Sequence, residues 1–220
     1  MNLAEGVFGS WWLWLGNLAC LGLVVAAVRS GTWRLLAASR LHVFAGATVV
    51  CMLLWTISGS VGRTLSFHLL GVTILTLMFG TSLAFLASVL ALIGISIAGL
   101  AAWQAFGLNA LLMGALPIAV SYGIYRFADR RLPNHFFVYV LVSAFVNGGA
   151  AMAASRFGAL ALFWLSGVAT GASSASDYLL SSVLLAWGEA LLTGMLMTLL
   201  IVYRPGWVHL FDDARYIMGR

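Results

Sequence analysis

Tyr178 to Tyr203 reads YLLSSVLLAWGEALLTGMLMTLLIVY, an apolar run with one charged side chain, Glu189, near its middle. About 20 apolar residues suffice to cross a bilayer as a helix. A carboxylate at that depth would cost about 2.5–3.5 kcal/mol if it faced lipid. Glu189 is therefore expected to face the inside of a helical bundle, where a partner, a proton or a cation compensates it.

The rest of the chain has the same character. Of its 220 residues 63% are hydrophobic and only 8% charged, with a mean hydropathy of +1.05; a soluble domain carries about 25% charged residues. No long polar stretch separates a soluble unit, so a single integral membrane domain over 1–220 is expected. The net charge of +5 comes from arginine, with no lysine in the chain. The arginines are scattered at the ends of apolar runs rather than gathered on one face, which argues against nucleic acid as a partner and reads as a topology signal. Cys20 and Cys51 lie inside apolar runs and read as small buried hydrophobes, not as a disulfide or a metal pair. The opening MNLAEGVFGSWWLW has Glu5 where a signal peptide would have a basic region, and its aromatics suit an interfacial belt.

Dividing the apolar stretches by length predicts seven spans, with six or eight as the alternatives. They are Trp11 to Val28, Leu41 to Ser58, Leu65 to Gly80, Ser82 to Trp103, Leu108 to Tyr125, His135 to about Ala154, and Tyr178 to Tyr203. The uncharged stretch from Leu65 to Trp103 is too long for one span and is expected to break near Gly80-Thr81. Pro133 suits the first turn of the sixth helix. Phe157 to Gly167 is too short to span alone and reads either as a continuation of that helix or as a surface or re-entrant segment. Gly171 to Ser176, GASSAS, reads as a loop. With the N-terminus outside, nine arginines fall on the cytoplasmic side and two, Arg63 and Arg156, face out; such a positive-inside bias supports an odd number of spans. Glycines inside the spans (Gly94 and Gly99, Gly148 and Gly149, Gly188 and Gly194) predict a tight bundle rather than a wide pore.

Few residues are candidates for chemistry. No Walker A loop, HExxH, GxSxG or CxxC occurs, which argues against nucleotide hydrolysis by the chain itself. His68, in SFHLLGVTIL, lies about one turn inside the outer end of the third span. It reads as a ligand or as an imidazole satisfied by a neighbouring carbonyl or hydroxyl. Asn109 and Met113 are spaced i, i+4 in GLNALLMG and are expected on one helix face, where packing and capping are their plainest roles. His42, His135 and His209 sit at helix ends or in the tail and read as interfacial.

In order along the chain, four strings resemble the CbiM/NikM family, the substrate-capturing membrane components of energy-coupling-factor transporters for cobalt and nickel. MNLAEGVFGS is similar to its N-terminal M-H-I-x-[DE]-G-F, and LSFHLLGVTI to its S-x-H-L-x-G segment. FGLNALLMGALPIAVSYGIYR resembles its L-G-A-N-x-x-x-M-x-x-x-G-P segment, and AWGEALLTGMLM its G-x-G-E-[GA]-x-[IL]-T segment. The resemblance implies about seven helices, an N-terminus outside, a short cytoplasmic tail over 205–220, and residues 1–10 dipping into the bundle. It also implies a near-planar nitrogen set for the metal: the amine of residue 1, the backbone nitrogen and imidazole of residue 2, and a histidine on the third helix. Carried over, Met1, Asn2 and His68 are the ligand candidates, with Asn109, Met113 and Glu189 in support.

Position 2 departs from the family pattern. Asn2 has a carboxamide oxygen but no imidazole, and an oxygen-containing set disfavours planar Ni(II). The expectation is a multi-pass protein of the bacterial plasma (inner) membrane that takes up a cobalt- or nickel-like ion. The ion is its substrate, and no cofactor is permanently bound. A separate coupling membrane protein and separate ATPase subunits are implied as partners. The alternative is a non-transporting binding protein or assembly factor on the same fold with nickel capture lost. A third reading, an intramembrane enzyme using Glu189 and His68 as an acid–base pair, lacks a nucleophile or a second carboxylate.

Overall fold

A computed structural model describes residues 3, 8–35, 38–57, 59–61, 65–167, 175–212 and 216. Met1, Asn2, Glu5, Arg63, Arg215 and Arg220 lie outside that set.

Seven helices make up the bundle among the described residues: α1 Ser10–Arg29, α2 Ala38–Thr56, α3 Val72–Phe79, α4 Thr81–Ile97, α5 Phe106–Arg131, α6 Phe136–Ser166 and α7 Ala175–Tyr203. α5 and α6 each include a wider π-helical stretch, Leu111–Ala115 and Tyr139–Val146. Between α2 and α3, the three-residue strands β1 Gly59–Val61 and β2 Leu65–Phe67 pair antiparallel with Ser60 opposite Ser66. α4 packs on α2 and α3, α5 on α1 and α6, and α7 on α6. The main apolar core gathers Cys51, Trp55, Val72, Ala84, Ile95 and Met113. Outside it, Trp14, Leu18 and Leu21 of α1 and Leu180, Val183 and Leu184 of α7 are exposed, as lipid-facing residues must be.

α1, α5, α6 and Tyr178–Tyr203 of α7 are long and apolar enough to cross a membrane, while Arg40–Thr56 and Thr81–Ile97 are shorter apolar helices. α3 has 8 residues, which rise about 12 Å and cover only part of a hydrocarbon core about 30 Å thick.

The break expected near Gly80 is present. Gly80 has φ +79 between α3 and α4, a conformation glycine adopts without strain. The third span is otherwise shorter than its sequence suggests. Leu65 to Gly71 is not helical: β2 pairs with β1, and Gly71, left-handed at φ +65, starts the helix only at Val72. The fourth helix stops at Ile97 instead of Trp103 because Gly99, at φ +73, turns the chain. Phe157 to Gly167 continues α6 as far as Ser166, where left-handed Gly167 caps it. Pro133 lies ahead of α6 rather than in its first turn; His135 is the N-cap, and its ring nitrogen accepts from the Phe137 N–H at 3.3 Å. Ala175, in the stretch read as a loop, is already the first residue of α7.

The glycine seams are tight. A Cβ on Gly148 of α6 would lie 2.7 Å from Thr193 Oγ1 and 3.0 Å from the Glu189 carbonyl oxygen of α7. Gly107 of α5 abuts the Gly16 backbone of α1. Gly148→Val is therefore expected to destabilise the bundle by about 1–3 kcal/mol, read as a lower thermal midpoint in detergent. Gly123→Ala, whose Cβ meets nothing within 4 Å, should not lower it.

The basic ends converge. Arg40 Nη2 donates to the Gly206 carbonyl at 2.8 Å, and Tyr216 Oη to Asp129 Oδ1 at 2.9 Å. The His209 and Leu210 N–H groups donate to the Met78 and Leu77 carbonyls, both at 3.1 Å. These contacts bring the start of α2 and the ends of α3, α5 and α7 to one end of the bundle. The stretch after α7 does not trail away, because Val208, Phe211 and Tyr216 are buried against Leu77, Tyr139, Met197 and Ile201.

Candidate functional site

Glu189 is 1% exposed and faces inward from α7. Its two carboxylate oxygens accept from the backbone N–H groups of Leu70 and Gly71, both at 2.7 Å. Those amides are free to donate sideways because the chain is not yet helical there. Each such bond to a charged acceptor contributes about 1.5–3 kcal/mol net. The carboxylate thus fastens the non-helical segment that carries His68 to the opposite side of the bundle.

Trp55, at the end of α2 and 1% exposed, holds the same segment from another side. Its indole Nε1 donates to the Leu70 carbonyl at 2.9 Å, and Cys51 Sγ lies 3.7 Å from that oxygen. The rings of Trp55 and His68 are 5.8 Å apart and tilted by 42°. His68 is buried, with Nδ1 3.1 Å from the Leu69 carbonyl. A carbonyl only accepts, so the proton belongs on Nδ1 and the lone pair on Nε2, the arrangement seen in ligating imidazoles. His68 is thus not on the third helix but in the non-helical segment between β2 and α3.

Asn109, fully buried on α5, organises a second anchor. Its Oδ1 accepts from the Leu3 N–H at 3.0 Å. Leu3 and Phe8 are buried with Leu108, Leu112, Ala159 and Phe163, and Phe8 lies 5.2 Å from Phe163. Leu3 and Phe8 are therefore held inside the bundle. Asn109 Nδ2 is buried and makes no hydrogen bond among the described residues. Met113 belongs to the main apolar core with Ala110, Ile118 and Met152, so packing accounts for it. Met1 and Asn2 lie outside the described residues. Among the described residues no three His, Cys, Asp or Glu side chains gather as a metal cluster. Cys20 and Cys51 are free and buried.

Two residues escaped sequence reading. Trp55 is one of nine tryptophans, and nothing local in the sequence distinguishes it. Arg156 reads as an outward-facing helix end, yet α6 continues past it and its side chain, packed against α7, is 1% exposed. Its Nε and Nη2 donate to the Ser182 and Ser181 hydroxyls of α7 at 3.0 and 2.9 Å, and its guanidinium lies 4.3 Å from the Tyr178 ring centre. Its burial comes from the packing of α7 against α6, a contact that the local sequence does not show.

No curated protein matches the chain. Two crystal structures share its fold. One is of a truncated transition metal transporter, 20% identical, covering 92% of this chain and 99% of that one with a TM-score of 0.76. The other is of a transition metal transporter, also 20% identical, covering 91% of this chain and 92% of that one with a TM-score of 0.75. The family model for the cobalt uptake substrate-specific transmembrane region, CbiM, matches residues 2–207. With nearly its whole length matched by that model, this multi-pass membrane protein belongs to the CbiM family.

Proposed function

We propose that the protein is the substrate-capturing membrane component of an energy-coupling-factor-type transporter. It takes a cobalt- or nickel-like ion from outside the bacterial plasma membrane. A separate coupling membrane protein and separate ATPases drive the uptake. The observation that carries this reading is the pair of long-range anchors on the candidate ligands. Asn109 holds Leu3, two residues from Met1, inside the bundle, and Glu189 holds the segment of His68. On this reading the Met1 amine, the Asn2 backbone nitrogen and His68 Nε2 are the principal donors, with the Asn2 carboxamide as a weak fourth. The arginine-bearing end of the bundle is the cytoplasmic one.

Uptake of radiolabelled cobalt or nickel into cells tests the proposal. Accumulation should require co-expression with the coupling protein and ATPases, and His68→Ala should abolish it. A reporter fused after Arg220 should read cytoplasmic; a periplasmic signal would overturn the orientation. Asn2 favours one second reading, in which the bundle serves as a binding or assembly factor without nickel capture. Complex assembly without metal uptake or metal binding would establish that role instead.

A further inference from the structure

We infer that the cleft between α2 and α7 is a seat for one acyl chain of an anionic phospholipid whose phosphate rests on Arg40 and Arg204. The short, buried α3 lies beneath the cleft, with α2 and α7 on either side. Its volume is about 340 Å³. Gly46 and Val50 of α2 form one wall, Leu196 and Leu200 of α7 the other, and Leu75 of α3 the floor. Among the described residues neither Asp nor Glu lines it. Gly46 and Val50 are open to the bilayer side, and a Cβ on Gly46 would meet nothing within 4 Å. Hydrocarbon is thus the natural filling, and the space suits an extended chain better than a helix about 10–12 Å wide.

The mouth selects the headgroup. His42 and Trp207 line the cleft at the arginine-rich end. The Arg40 guanidinium donates to the Gly206 carbonyl through Nη2, next to Trp207, and Arg204 lies 5.8 Å from the Trp207 ring centre. Both arginines are exposed, and a guanidinium has five donors, so several remain for phosphate oxygens. Basic pockets between helices at this level of a membrane recognise anionic headgroups, and tryptophan suits the same depth. The inner end of the cleft is closed by Cys51 and Gly71, beside the Leu70 carbonyl, so the chain terminus would rest against the segment that carries His68.

Native mass spectrometry of the purified, delipidated protein mixed with phosphatidylglycerol or phosphatidylcholine tests this. The wild type should retain one phosphatidylglycerol and prefer it over phosphatidylcholine. Arg40→Gln with Arg204→Gln should weaken phosphatidylglycerol by about 25-fold, about fivefold per guanidinium, and weaken phosphatidylcholine less, because its choline cation already offsets the phosphate charge. Gly46→Leu, which fills the cleft, should lose both lipids at an unchanged thermal midpoint. Val50→Trp at the exposed rim repeats that arm if Gly46→Leu does not fold. Equal binding of the two lipids by wild type, or full retention in both cleft-filling variants, overturns the proposal. So does a cleft-filling variant that keeps its lipid but no longer assembles with the coupling membrane protein, since the occupant would then be a protein helix.

Discussion

Glu189→Leu is expected to lower the stability of the bundle by about 2–6 kcal/mol and to abolish metal capture with it. The substitution removes the acceptor of two buried backbone donors, Leu70 N–H and Gly71 N–H. Each orphaned donor costs about 1–3 kcal/mol. Water has little access to replace the carboxylate, because Glu189 is 1% exposed. Glu189→Gln keeps the volume and one carbonyl acceptor but turns an N–H₂ donor towards the second amide, so an intermediate loss is expected. Thermal unfolding in detergent measures the stability, and calorimetry with Ni(II) or Co(II) measures the capture. If Glu189→Leu melts and binds metal like the wild type, the carboxylate is not the anchor of the His68 segment.

Asn2→His is expected to strengthen Ni(II) binding at least about tenfold, or about 1.4 kcal/mol, and His68→Ala to remove it. An imidazole at position 2 would close chelate rings with the backbone nitrogen and the Met1 amine on a segment that the Asn109–Leu3 bond already orders. No new loss of translational freedom is incurred. The Asn2 carboxamide is a poorer donor for late first-row metals. His68 must be neutral to ligate, so binding weakens as the pH falls. Calorimetry on the protein with an unmodified N-terminus decides the matter. No gain from Asn2→His and no loss from His68→Ala would make His68 a packing residue held by the Leu69 carbonyl and Trp55.

Much of the site was legible as residues but not as an arrangement. Glu189 announced itself because a charge inside an apolar run has few tolerable environments. His68 stood out for the same reason, yet its conformation did not. LSFHLLGV reads as the start of a helix, and only pairing of β2 with β1 and the capture of two amides by Glu189 account for its non-helical course. Asn109 and Met113 share a helix and a spacing, but one holds Leu3 and the other fills the core.

By itself the sequence determined that the chain is a helical membrane bundle, that Glu189 faces inward, and that the apolar stretch after Leu65 breaks at Gly80. These follow from local sums, the transfer cost of side chains over a span and the backbone freedom of one glycine. Tertiary structure alone decided what Glu189 holds, which residue receives the N-terminal segment, and that Arg156 is buried. The carboxylate meets an amide 119 positions away and Asn109 one 106 positions away. Hydropathy and spacing carry no information at that range, because a buried polar group requires some partner but does not specify which.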